Sequence, residues 1–185
     1  MDFVAEKTFD KVNALSVGEY ELCIFTACDF SNKDFSGFKF IECEFRDCNL
    51  SLIKISAAIF RDVKFRDCKM LGLMFNSCSD FGFSVGFENC NLQHTSFYKK
   101  KMKGGNFKNT RLAEVDFTEC DLTKAMFEGC DFTGATFDRT NLEKSDFQSS
   151  FNYIIDPQVN KIKKAKFSLG GIPGLLIQYD IEIVA

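Results

Sequence analysis

Nine cysteines, one histidine and many regularly placed carboxylates are the residues of this chain that could do chemistry. Thiolates and imidazoles bind metals or act as nucleophile and base, and paired carboxylates act as general acid and base. His94 is the only histidine, however, and no serine or cysteine lies at a spacing that would pair with it. We expect His94 at the surface. The sequence predicts a protein that is not an enzyme, without catalytic residues and without a metal or cofactor site.

The cysteines follow a regular spacing. Each lies two residues before a position reached by counting in fives along the chain: Cys23, Cys28, Cys43, Cys48, Cys68, Cys78, Cys90, Cys120 and Cys130. Small residues such as Ala58, Val115 and Ser145 hold the same place elsewhere. A reduced cysteine is a small apolar side chain that packs well in a core, whereas zinc sites prefer closely paired cysteines. The spacing therefore favours buried, reduced thiols over disulfides or metal ligands.

Large apolar residues occupy the positions that the count in fives reaches. One run extends from Tyr20 to Phe75, and a second, offset by two residues, extends from Phe87 to Phe147. A period of five fits neither an α-helix nor a flat strand, and short fixed repeats are typical of a solenoid. Apolar positions twenty residues apart, allowing for the two-residue offset between the runs, also match in residue type. One series reads Phe25, Phe45, Phe65, Phe87, Phe107, Phe127 and Phe147. The sequence therefore predicts an all-β chain of about seven four-sided coils, each of about twenty residues, stacked through parallel strands.

The chain divides into three parts by this pattern. Residues 1–18 are expected to form an N-terminal partial coil, residues 19–150 the solenoid, with a register break at 79–86, and residues 151–185 an irregular last coil with a cap. Asp156 followed by Pro157 is a helix-start signal. A short helix around 173–179 and then a terminal strand are predicted. The apolar residues of this segment would either cap the rod or pair with a second copy of the chain: Leu175, Leu176, Ile177, Ile181 and Ile183.

The register break is expected to create an irregular patch. Phe81 and Phe83 cannot both point inward in a regular coil, so one of them should face solvent. One coil later, Lys99, Lys100, Lys101 and Lys103 form a basic run, in which Lys100 falls on an inward position. The patch is either a tolerated insertion with a solvated lysine face or a contact site for an acidic partner, since exposed aromatics beside cations are enriched at interfaces.

Composition excludes several function classes. The net charge of −3 argues against the basic face that direct binding to a nucleic acid needs. No apolar run approaches the length of a membrane span, and the acidic, mixed N-terminus is unlike a signal peptide. We therefore expect a cytoplasmic protein without a membrane segment.

The five-residue unit resembles the motif of the pentapeptide-repeat family, written A(D/N)LXX, with cysteine replacing alanine. Units such as CDFSN, CNLQH, CDLTK and CDFTG carry the resemblance. It implies a right-handed quadrilateral β-helix, since this is the family fold. The layout is most similar to the quinolone-resistance (Qnr) and microcin-immunity members, which share a mid-rod register break, an apolar C-terminal cap and a DP-x-x-N element. Here that element is Asp156, Pro157 and Asn160.

The resemblance also implies a function. Such relatives are homodimers joined through their C-terminal ends, and they bind DNA gyrase or topoisomerase IV as imitators of duplex DNA, protecting it from quinolones or a toxin. The carboxylates that would stand in for phosphates here are Glu114, Asp116, Glu119, Asp121, Asp131 and Asp138. The alternative is a general protein-interaction scaffold whose partner is unrelated to topoisomerases.

Overall fold

The apolar residues at every fifth position all point into one interior. In the computed structural model, which describes residues 2–184, each of them from Tyr20 to Phe147 is buried. The backbone turns a corner between successive buried residues, so four repeats complete one coil. The chain forms a parallel β-solenoid with little helix, and its interior is a single continuous core.

Short strands lie on two faces of the coil, all in parallel pairing. One sheet has four strands, and they are β1 (Asp2–Ala5), β3 (Gly18–Glu21), β5 (Lys39–Ile41) and β7 (Ile59–Arg61). The other has nine, and they are β2 (Thr8–Asp10), β4 (Ile24–Thr26), β6 (Glu44–Arg46), β8 (Val63–Arg66), β9 (Val85–Glu88), β10 (Asn106–Lys108), β11 (Met126–Glu128), β12 (Asp146–Phe147) and β13 (Lys166–Phe167). Isolated parallel bridges join the coils elsewhere, as in the series that links Asn91, Arg111 and Asp131.

Residues twenty apart lie over one another, as the matched series predicts. Phe45 pairs with Phe65, and Phe107 pairs with Phe127. Across the register break Phe65 pairs with Phe87, so the two extra residues are absorbed without losing the stack. The nine strands of the larger sheet give about eight turns. This is one more than predicted, because residues 8–10 and 166–167 each add a stacked strand at an end of the rod.

The corners are made by residues in the left-handed conformation. Glu114, Lys124 and His94, each two positions after a buried residue, have φ of 56°, 61° and 58°. This conformation costs a non-glycine residue roughly 1–2 kcal/mol. At most corners the backbone N–H donates to a carbonyl of the next coil, as from Lys124 to Glu143 at 2.9 Å. Stacking therefore offsets the corner strain, and a lone coil would lack this compensation.

Side chains at the small inward position also donate hydrogen bonds to the preceding coil. The thiol of Cys68 donates to the Phe45 carbonyl at 3.5 Å, and the thiol of Cys130 donates to that of Phe107. Thr140, Ser150 and Asn160 donate in the same way to carbonyls twenty-three residues earlier. The position therefore holds either a small apolar side chain, as at Ala58 and Val115, or a side chain that can donate a hydrogen bond to the preceding coil. All nine cysteines are buried and reduced, as predicted.

One column of aromatic rings runs the length of the rod. Nine phenylalanines stack with ring centroids 4.5–5.4 Å apart: Phe9, Phe25, Phe45, Phe65, Phe87, Phe107, Phe127, Phe147 and Phe167. Interplanar angles in this column stay at or below 27°. Such offset stacks stabilise beyond the area they bury.

The C-terminal segment differs in part from the sequence prediction. Asp156 and Pro157 begin a single turn rather than a helix, closed by the N–H of Asn160 on the Asp156 carbonyl at 3.1 Å. Two short 3₁₀ helices follow, at Leu169–Leu175 and Ile177–Tyr179. The terminal strand is wrong, since no strand is assigned to residues 180–184. No residue among 2–184 forms a β-bridge with this segment.

The cap rests on Tyr153. A Cβ at Gly171 would lie 1.7 Å from the Tyr153 hydroxyl, and one at Gly174 would lie 2.0 Å from its carbonyl oxygen. Only glycine allows this close approach, so the glycines near Pro173 seat the first 3₁₀ helix on the end of the core. Leu175 is buried there and seals the rod.

Candidate protein-binding surfaces

The residues that could do chemistry are held in structural roles. Nδ1 of His94 lies 3.1 Å from a carboxylate oxygen of Glu114, and both side chains are largely exposed at neighbouring corners. Burial raises the pKa of the Cys43 and Cys120 thiols to about 12, so these groups stay protonated at neutral pH. Among residues 2–184, no group of three or more metal-ligating side chains converges.

The recurring aspartates and asparagines before the corners form turns. Each accepts a hydrogen bond from the backbone N–H two residues later, as Asp29 does from Ser31 at 3.0 Å and Asp131 from Thr133 at 3.1 Å. Partial burial raises the pKa of Asp131, but hydrogen bonds from Thr133 and Asn152 outweigh this and hold it below its ordinary value. The Asp131 carboxylate is therefore ionised at neutral pH, and the turn hydrogen bonds fix these side chains in direction.

At the register break one phenylalanine ring is exposed to solvent and the other packs against the core. Phe81 is 71% exposed at the tip of the loop formed by residues 79–84, whereas Phe83 packs on the core with its ring 5.8 Å from that of Phe75. The expectation that only one of the two would face solvent agrees with this placement, and that residue is Phe81.

Lys100 anchors this loop from below. Its side chain is only 2% exposed, and its ammonium donates to the Cys78 carbonyl at 2.7 Å and to Asp80 at 2.6 Å. The ammonium also lies 5.0 Å from the centre of the Phe83 ring. The prediction of a solvated Lys100 on a contact face is therefore wrong, because partners from the preceding coil allow the charge to be buried.

The remaining lysines of the basic run are exposed. Lys99 lies over the ring of Tyr98 and 3.6 Å from Glu119, and Lys103 lies 3.3 Å from Asp121. Lys101 has no carboxylate within 4 Å among residues 2–184. Together with Phe81 they form an irregular, mostly cationic surface.

The six carboxylates proposed as phosphate mimics are not brought into one row. Bridges place Asp116 beside Ser96 in one series, Asp121 beside Lys101 in a second and Asp131 beside Arg111 in a third. These series lie on different faces of the coil. The carboxylates therefore surround the C-terminal half of the rod instead of forming a single stripe.

Most of the six also contact a basic side chain. Glu119 lies between Lys99 and Arg139, one coil below and one above, at 3.6 and 3.3 Å. Glu114, Asp121 and Asp138 contact His94, Lys103 and Arg139. Asp116 and Asp131 have no cation within 4 Å in the described part of the chain. These two therefore lack a close contact to a basic side chain, although Arg111 lies beside Asp131 in the neighbouring coil.

Asp80 was missed by the sequence reasoning, although a signal for it exists. It lies twenty residues before Lys100, and the same spacing separates Lys99 from Glu119 and Lys166 from Asp146. Once a twenty-residue coil is inferred, opposite charges twenty apart identify these pairs.

The C-terminal apolar residues divide into a buried and an exposed set. Leu175 belongs to the cap, whereas Ile177, Ile181 and Ile183 are 53–55% exposed. Leu169 is exposed beside them. No helix among residues 2–184 could cross a membrane, the longest being the seven residues of Leu169–Leu175.

Comparison with known proteins identifies the repeat. The family model described as "Pentapeptide repeat region" matches residues 19–81 and 83–150, more than half of the chain. The chain matches no curated protein at a significant level. Among solved structures, full-length QnrB1, a plasmid-mediated fluoroquinolone resistance protein, is 18% identical with a TM-score of 0.58 over 97% of this chain and all of that one. A trypsin-treated variant of QnrB1 is 21% identical with a TM-score of 0.57, over 98% of this chain and 97% of that one.

We expect Lys100→Met to release the 79–84 loop, because the Cys78 carbonyl and Asp80 would lose their common donor. The free energy of unfolding should fall by about 1–3 kcal/mol. Chymotrypsin should cleave after Phe81 at least roughly ten times faster, which electrophoresis of timed digests would measure.

Lys101→Met is the matched control, since Lys101 is the adjacent lysine and has no ion-pair partner. It should change neither quantity. Equal cleavage rates for Lys100→Met and the unmodified chain would show that the buried lysine does not hold the loop.

Proposed function

Since this chain belongs to the pentapeptide-repeat family, we propose that it is a non-enzymatic binding protein whose partner is a type II topoisomerase, DNA gyrase or topoisomerase IV. In this proposal the rod occupies the surface that normally holds duplex DNA and protects the enzyme from a quinolone or a toxin. The observation that carries the proposal is the likeness to a fluoroquinolone resistance protein over nearly the whole of both chains.

The surface charge indicates which residues would take part. Asp116 and Asp131 lie on different faces in the acidic half of the rod, and neither has a cation within 4 Å among residues 2–184. Their hydrogen bonds from Thr118 and Thr133 fix the carboxylates in direction. Fixed carboxylates without a cation in close contact are suited to replace phosphates in a basic groove, because they need little reordering on binding.

We expect the protein to restore supercoiling by gyrase in the presence of ciprofloxacin, at micromolar protein. Asp116→Asn combined with Asp131→Asn should raise the half-effective concentration roughly three- to ten-fold, since complementary charges govern encounter and register. Asparagine keeps the acceptor oxygen of each turn, so the fold should be unchanged. A supercoiling gel over a titration of each variant measures the effect.

Asp29→Asn combined with Asp34→Asn is the matched control. These residues accept the same turn hydrogen bonds, from Ser31 and Ser36, in the N-terminal half of the rod. The control should leave the half-effective concentration unchanged. Absence of any effect of the unmodified protein on gyrase or topoisomerase IV would rule out this function.

We further propose that two copies associate through their C-terminal ends. Ile177, Ile181 and Ile183 lie close together in sequence and are each about half exposed, and clustered exposed apolar side chains are typical of an interface. The cap residue Leu175 is already satisfied within its own chain, so these neighbours are the ones available to a second copy.

Sedimentation velocity at tens of micromolar should therefore show a dimer. Ile181→Asp combined with Ile183→Asp should give a monomer, because two carboxylates would be buried without partners. Met126→Asp, at an equally exposed apolar residue on the side of the rod, should remain dimeric. A monomer for the unmodified chain would refute the association.

A second candidate function is a protein-interaction scaffold whose partner is unrelated to topoisomerases. The observation that favours it is the exposed Phe81 on an anchored loop beside Lys99, Lys101 and Lys103, which suits an acidic protein partner. The ion pairs of Glu119, Asp121 and Asp138 also reduce the resemblance to DNA. This candidate expects no effect of the protein in the supercoiling assay.

A further inference from the structure

A groove lies on the side of the rod beside the register break. It has a volume of about 830 Å³ and is bounded by β8, by the start of β9 and by residues 101–106 of the next coil. Three of its lining residues, Phe83, Lys101 and Lys103, belong to the loop of the register break or to the basic run. The groove itself lies on the face of the rod that the nine-stranded sheet forms. None of the six carboxylates proposed as DNA mimics lines it.

Gly86 leaves the floor of the groove open. It is the outward-facing residue of β9, in a row with Lys64 below and Asn106 above. A Cβ built at Gly86 would meet only the Asn106 carbonyl oxygen, at 3.8 Å, which is ordinary contact. The backbone therefore does not require glycine here. The missing side chain at Gly86 leaves a gap in the row of outward side chains.

The exposed floor is apolar. Val85 holds the small inward position, which is buried in most coils, but it is only half-buried, and so is Phe83. Both remain in contact with the core. An apolar side chain entering the groove would cover them and would gain hydrophobic free energy in doing so.

The rim is mainly cationic. Lys64 and Lys101 have no carboxylate within 4 Å among the described residues, and both are exposed. Lys103 pairs with Asp121 outside the groove, and Arg66 is shared between Glu44 and Glu88. Four cations therefore line a groove that contains two acids, Asp62 and Glu88.

We propose that this groove binds an acidic peptide segment of a partner protein, with an apolar side chain on the floor and carboxylates at Lys64 and Lys101. The inference rests on the second candidate function and does not depend on topoisomerase binding. A peptide fits better than a nucleic acid, because Asp62 and Glu88 would repel a continuous phosphate backbone, whereas a peptide can place apolar residues between its charges. β9 is paired on both sides by β8 and β10, so recognition is through side chains and not by strand addition.

Fluorescence anisotropy tests the proposal with the full chain. The probe is a short fluorescein-labelled peptide in which glutamates flank two central phenylalanines, compared with the same peptide bearing lysines. The acidic peptide should bind, and the lysine peptide should bind at least roughly ten times more weakly. Lys64→Ala combined with Lys101→Ala should weaken binding of the acidic peptide by about ten-fold.

Gly86→Glu is the sharper variant, because the site accepts a side chain without a clash and the new carboxylate would fill and neutralise the groove. It should abolish binding with an unchanged thermal melt. Met126→Glu is its control, since Met126 is exposed in the same outward row two coils away. It should bind the peptide like the unmodified chain.

Three results would overturn the inference. They are the absence of binding by the unmodified chain, binding that Gly86→Glu leaves intact, and equal or tighter binding of a labelled single-stranded oligonucleotide of matched charge. Because no topoisomerase enters this assay, its failure is distinguishable from failure of the proposed function.

Discussion

Stacking of side chains twenty residues apart is the constraint on which the rest of this structure depends. The column from Phe9 to Phe167 is continuous, and most corner residues and inward thiols hydrogen-bond to a neighbouring coil. A lone coil would leave its corner N–H groups unpaired and its left-handed residues strained. Each coil is therefore stable only with its neighbours, as expected for a solenoid.

The same constraint decides how function can reside on the rod. The inward positions are filled by packed apolar side chains, and the Cys43 and Cys120 thiols among them stay protonated at neutral pH because burial raises their pKa to about 12. Charged side chains lie mainly at outward positions, where charges twenty apart compensate each other, as Lys99, Glu119 and Arg139 do. The proposed functions therefore use places where close ion pairing or regularity fails: Asp116 and Asp131, which have no cation within 4 Å among residues 2–184, the loop that carries Phe81, and the gap at Gly86.

The interior was predictable from the sequence, and the surface was predictable only in part. The period of five gives the buried positions and the period of twenty gives the stack, because both follow from one repeating backbone. The burial of Lys100 was not foreseen, since it depends on Asp80 and the Cys78 carbonyl meeting it across coils. The turn at Asp156 resembled a helix start because one capped turn and a longer helix share that signal. The groove at Gly86 was missed because a glycine by itself does not show which neighbouring side chains surround it.

The most direct test of the account is the free energy of unfolding of Phe107→Ala beside that of Phe81→Ala. Phe107 is fully buried between Phe87 and Phe127, at 5.2 and 5.0 Å, whereas Phe81 is 71% exposed. Urea denaturation should show a loss of about 3–5 kcal/mol for Phe107→Ala. The loss for Phe81→Ala should be within about 0.5 kcal/mol. Equal, small losses for both variants would contradict a continuous column of stacked rings as the basis of the fold.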